Sequence, residues 1–172
     1  MNRIIFLILF NCISFFMYAQ TKDTTWSKPY KGLVVGITGT SEKDLEIFLK
    51  NTNQKDSIEV WSHVDCGNDF HFDWYTIKLI SSTGEKYQLE LMDSREKSTP
   101  ISKTLRPGQM LSHKINLKYW ISSFNNGGLN RFSLLYPQYP TKYQAYIRYA
   151  VNDKTKKWQG EIKAGPHTIE IK

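Results

Sequence analysis

The chain has 172 residues with 23 Lys+Arg against 16 Asp+Glu, a formal net charge of +7, and two cysteines. That length suits one domain with a self-sufficient core and excludes a small scaffold stapled by several disulfides. The basic residues are scattered, densest at Lys154, Lys156 and Lys157. Such scatter fits solvated turns, not the clustered stripe that a nucleic-acid partner demands.

The first twenty residues read MNRIIFLILFNCISFFMYAQ. Arg3 precedes an apolar run over 4–16, too short to span a bilayer, and the segment closes on a small residue, Ala19. This is the pattern of a secretory signal peptide. Cleavage after Ala19 is expected, giving residues 1–19 as signal, 20–31 as a lead-in and 32–172 as one domain. Cys12 leaves with the signal, so Cys66 is expected as the single free thiol of an exported protein. Leu9, Phe10 and Asn11 are not the small residues that a lipid-attachment cysteine wants before it. No second long apolar segment follows, so no transmembrane segment is expected in the mature chain, and its location is periplasmic or extracellular. Absence of an Asn-x-Ser/Thr site fits a bacterial envelope.

Beyond Thr25 the apolar residues recur with a period of two. Leu45, Ile47 and Leu49 alternate with Glu46, Phe48 and Lys50. The polar stretch 51–56 turns the chain into a strand opened by Ile58 and Val60. Tyr75, Ile77 and Leu79 form the next inward face, and Ser81 to Gly84 reverse the chain toward Tyr87, Leu89 and Leu91. Leu105-Arg106-Pro107-Gly108 is a further turn, before Leu111, His113, Ile115 and Leu117. Tyr143, Ala145, Ile147, Tyr149 and Val151 make the longest apolar face. Asn152 to Thr155 turn it back to Trp158, Gly160 and Ile162. Ala164-Gly165-Pro166 is expected to interrupt the run before Ile169 and Ile171. Many short strands with turn signals between them predict an all-β antiparallel sandwich. Only the region from Met110 to Phe124 and the loop after it leave room for a helical turn.

Leu49-x-Asn51 followed by Ile58-x-Val60, Leu105-x-Pro107-Gly108 before a strand, and Trp158-x-Gly160-x-Ile162 before a Pro166-containing strand resemble exported bacterial immunoglobulin-like domains. Trp26 with Gly32 and Leu33 is similar to the first strand of such domains. The resemblance covers most of the mature chain and implies an immunoglobulin-like β-sandwich with a role in binding or envelope assembly. It carries over no catalytic residue, because its motifs specify strands and turns. The cysteine pair of antibody domains is absent.

Residues 61–75, WSHVDCGNDFHFDWY, concentrate the reactive side chains. Alternation places Glu59, Trp61 and His63 opposite Ile58 and Val60, makes 65–69 a turn, and sets Asp69, His71 and Asp73 on one side of the returning segment. A cysteine nucleophile would be Cys66 with His63 or His71 as base, but no cysteine-enzyme signature surrounds it. A divalent metal would take Asp69, His71 and Asp73, with His63 or Asp65 as a further ligand. The reading adopted is two strand ends and their connection, with no cofactor. A second candidate surface is the irregular stretch carrying Trp120, Phe124, Arg131, Tyr136 and Tyr139, suited to stacking on sugars or seating a peptide. Its alternative is an aromatic cap on the open end of the sandwich. His113 and His167 sit singly on alternating strands and are read as packing or surface residues.

The expected function is a non-enzymatic binding or assembly module of the cell envelope whose partner is a protein or an envelope glycan. Alternatives are a β-sandwich proteinase inhibitor and a metal- or carbohydrate-binding sandwich.

Overall fold

Period-two alternation becomes strand wherever it occurs, because alternate side chains of an extended chain fall on opposite faces and only one face is needed for a core. The computed structural model describes residues 23–41, 44–65, 70–71, 73–91, 99–117, 120–123, 129–130, 141–155 and 157–171. The strands are β1 (Thr25–Trp26), β2 (Leu33–Ser41), β3 (Asp44–Asn51), β4 (Ile58–Asp65), β5 (Phe70–His71), β6 (Tyr75–Ser81) and β7 (Lys86–Leu91). They continue with β8 (Thr99–Leu105), β9 (Met110–Asn116), β10 (Trp120–Ser123), β11 (Leu129–Asn130), β12 (Thr141–Val151) and β13 (Gly160–Ile171). No α-helix occurs among the described residues. The region expected to leave room for a helical turn carries β9 and β10, with Leu117 between them in 3-10 conformation.

Among the described residues every strand pair is antiparallel, and the strands form three sheets: β1-β2-β3-β9, β11-β10-β7-β6-β12-β13 and β5-β4-β8. β1 lies within the stretch assigned above to the lead-in, and it pairs with β2 through Thr25 and Trp26. The inward faces are those of the alternation: Leu45, Ile47 and Leu49 from β3, Tyr75, Ile77 and Leu79 from β6, and Tyr143 through Val151 from β12. They merge with Ile58 and Val60, Leu105, Ile115, Trp158, Ile162 and Ile169 into one cluster fed by all three sheets. Each such side chain taken from water contributes about 1.5–3 kcal/mol, so this shared cluster is the main stabiliser of the fold.

Polar side chains buried at the seams join the sheets. Asn51 is fully buried; its Nδ2 donates to the Asp56 and Leu105 carbonyls at 2.8 and 2.9 Å, and its Oδ1 accepts from Asn53 N–H at 2.9 Å. It thereby ties the end of β3 to the end of β8 in another sheet. Tyr149 of β12 donates its hydroxyl to the Trp61 carbonyl of β4 at 2.9 Å. His167 of β13 accepts from Gly39 N–H at Nε2 (3.2 Å), and its Nδ1 lies 3.1 Å from Thr25 Oγ1. A backbone N–H only donates, so Nε2 is the bare nitrogen and Nδ1 carries the hydrogen that Thr25 accepts. Unpaired, these buried groups would each cost about 1–3 kcal/mol.

The expected interruption at Ala164-Gly165-Pro166 is corrected: β13 runs unbroken from Gly160 to Ile171. Ala145 pairs with His167 and Ile147 with Ala164, so two residues of β13 face one of β12. This bulge absorbs the extra residue. Buried positions are even-numbered before it (Ile162, Ala164) and odd-numbered after it (His167, Ile169, Ile171), which reads in sequence as a break.

Candidate functional site

The segment that the sequence singles out spans two strand ends. β4 runs to Asp65 and β5 pairs back on it, Val64 with His71 and Asp65 with Phe70. Asp73 is exposed in the turn before β6. Asp69, Cys66 and the side chain of His71 lie outside the described residues. Among the described residues no group of three or more His, Cys, Asp or Glu side chains converges. His63 is instead drawn toward His113 of β9, their ring centroids 5.7 Å apart and edge to face. Ser62 Oγ sits between them, 2.8 Å from His63 Nδ1 and 3.2 Å from His113 Nε2. One hydroxyl hydrogen serves one ring, so the other ring must donate to the oxygen. Burial, reinforced by the neighbouring His63, lowers the His113 pKa to about 4, which keeps that ring neutral. A serine touching an imidazole is the start of a nucleophile–base pair, but Ser62 has no exposed surface for a substrate to reach. The inward register of His113, two residues before buried Ile115, was the signal in the sequence that it would meet other core groups.

Beside this relay, Trp61 stacks on Trp74 at 4.9 Å with the rings 7° from parallel. Lys157 Nζ stands 4.4 Å from the Trp61 ring centroid and 3.1 Å from Glu59 Oε1, which also accepts from Ser102. Trp61 Nε1 donates to Asp153 Oδ2 at 2.7 Å. Hydrogen bonds from Thr155 above all, then from Gln159 and Trp61, hold the Asp153 carboxyl down at about 2. Glu59 is likewise lowered, by Ser102 and then Lys157. Each charge in this patch already has its partner, so the patch locks the 152–158 turn onto β4.

The outer face of the six-stranded sheet is different. A trough of about 670 Å³ crosses β7, β6, β12 and β13 there. Register builds it. Lys78 lies between Gln88 and Tyr146, Thr76 faces Arg148, and Arg148 faces Lys163 on the next strand. Lys86 pairs with Ile80 one step along. The lining includes four cations, Lys78, Lys86, Arg148 and Lys163, and no acidic residue. Glu161 at the margin takes both Arg148 and Lys163 as partners, which lowers its pKa. Among the described residues Lys78 and Lys86 have no carboxylate partner.

Tyr146 occupies the middle of this face, half-buried. The bulge makes room for it: a Cβ at Gly165 would come within 2.8 Å of Tyr146 Cδ1 and 2.7 Å of the Ala145 carbonyl, and Gly165 has φ +123°. Only glycine meets both demands. The alternation pointed Lys78, Tyr146, Arg148 and Lys163 outward, but that β6 lies beside β12 was not in it.

Of the second candidate surface, β10 pairs Trp120 with Leu91 and Ser122 with Leu89. Phe124, Arg131, Tyr136 and Tyr139, with the Trp120 side chain, lie outside the described residues. Among the described residues no helix is long and apolar enough to cross a membrane. No family model, curated protein or solved structure matches the chain.

Proposed function

We propose that the chain is an exported, non-enzymatic binding module of the cell envelope, built as an immunoglobulin-like β-sandwich, that engages its partner through the basic trough. The observation that carries this reading is the trough itself: four cations and one aromatic ring on an outward face, two of the lysines without an acidic partner among the described residues. Cations grouped around a ring form a surface with ligand-binding chemistry, whereas Glu59, Lys157 and Asp153 beside Trp61 each already have a partner. The leader pattern of residues 1–19 supports export. The antiparallel sheets around one core support the sandwich class. Burial of Ser62 supports a binding role over a hydrolytic one.

Site-specific photo-crosslinking tests the reading. A photoreactive amino acid at Thr76, in the trough, is expected to give an adduct with a component of the native envelope, and the same group at Arg106, in the exposed β8–β9 turn, none. Equal labelling from both positions, or none from Thr76, would refute the trough as the binding surface.

A further inference from the structure

We infer that the occupant of the trough is an acidic polysaccharide, a chain of sugar rings bearing carboxylate or sulfate groups; this rests on the trough being the binding surface. Over its two middle strands the site cannot hold a polypeptide by strand addition. β6 is paired on both sides, to β7 and β12, and β12 is paired to β6 and β13. Away from the bulge at Gly165 their backbone donors and acceptors are spent on the ladders, so no strand can be added over β6 or β12. A peptide that docks by strand addition needs an open sheet edge. What the middle of the trough offers is chiefly side chains, and these can serve the hydroxyls and acid groups of a glycan.

The side chains match that chemistry in kind and in place. Tyr146 supplies an aromatic body with a polar tip, the combination that packs on the C–H face of a sugar while its hydroxyl stays wet. Thr76, two residues from Lys78 on the same strand, can serve a neutral hydroxyl, and Gln88 stands opposite Lys78 on β7. Lys78 directly opposes Tyr146, so a ring resting on the tyrosine brings its acidic substituent to an ammonium. Arg148 and Lys163 share the single carboxylate of Glu161, which leaves that end of the trough positive as well. Positive charge at several points along the floor fits a repeating acid better than one isolated anion. The volume of about 670 Å³ falls within the range of small-ligand clefts, about 300–1,000 Å³, and so accepts a short stretch of such a chain.

Isothermal titration of the chain lacking residues 1–19 with four probes decides the matter: oligogalacturonate, chondroitin sulfate oligosaccharide, neutral maltooligosaccharide, and oligoglutamate of matched charge. Binding of one or both acidic oligosaccharides is expected, weakening as salt is raised, with the tighter of the two identifying the acid group. The neutral sugar should not bind. Tyr146→Ala should weaken acidic-sugar binding roughly fivefold, and Tyr146→Phe should leave it nearly unchanged. Lys78→Gln, which leaves the aromatic ring in place, should weaken it as well, and circular dichroism checks that each variant is folded. Oligoglutamate binding as tight as the acidic sugars, or a folded Tyr146→Ala protein that binds them unchanged, overturns the glycan assignment in favour of an acidic peptide or of charge alone. Crosslinking from Thr76 without binding of either acidic sugar overturns this inference and leaves the trough as the binding surface. Failure of both experiments overturns both.

Discussion

Replacing Asn51 with leucine removes a polar seam while keeping the volume of the side chain, and its cost can be worked from the contacts. Three hydrogen bonds disappear: two from Nδ2 to the Asp56 and Leu105 carbonyls and one to Oδ1 from Asn53 N–H. The Leu105 bond is buried, so that carbonyl loses its partner without gaining water, at about 1–3 kcal/mol. The bonds to Asp56 and Asn53 are only part-buried, and water replaces them at about 1 kcal/mol each. The total is about 4 kcal/mol, a large share of the roughly 5–15 kcal/mol that a domain possesses. For a domain of this size it corresponds to a melting temperature lower by about 8–16 °C. Urea unfolding followed by tryptophan fluorescence measures it, with an unchanged denaturant slope showing that the two-state comparison holds. Asn51→Asp sharpens the test, since it keeps the acceptor but turns a carboxylate oxygen toward two carbonyls. Burial and those carbonyls raise its folded-state pKa above the unfolded value, so this variant should be less stable at pH 7 than near pH 4, once compared with wild type at each pH. A loss below about 1 kcal/mol for Asn51→Leu would refute the view that this side chain clamps two sheets together.

Further predictions follow from the same seams. Tyr149→Phe deletes the hydroxyl that reaches the Trp61 carbonyl and should cost about 1–2 kcal/mol by chemical denaturation, with no change in far-ultraviolet spectrum. His113 should make stability fall with acid: the folded ring titrates at about 4 and the unfolded one at 6.5, so the unfolded chain binds more protons between these values. His63 and Tyr75 face that ring. Its full contribution, roughly 3 kcal/mol, is present above pH 6.5 and lost on descending to 4; His113→Gln should flatten that difference, and parallel stability–pH curves would contradict it. Gly165→Ala meets a backbone carbonyl and an unfavourable φ together, so a destabilisation of about 2 kcal/mol or more is expected in thermal melts.

The strand faces were legible in the sequence because alternation is local. Each residue's side is decided by its neighbours two positions away, and the buried sets on β3, β6 and β12 are those that the pattern named. The turn at Gly84, with φ +87°, was legible for the same reason. The bulge at Gly165 misled that reading, because a two-for-one step inverts the alternation that a sequence scan follows. By itself, then, the sequence determined an antiparallel all-β chain and which residues of each strand face the core. Only the tertiary structure decided how the hairpins are ordered, β6 beside β12 above all, since that order depends on long-range pairing that no local pattern encodes. That decision brought Lys78, Lys86, Tyr146, Arg148 and Lys163 from separate strands onto one trough. It also brought buried Ser62 its partner in His113 and buried Asn51 its partner 54 residues away, where burial left each polar group only another part of the chain to bond.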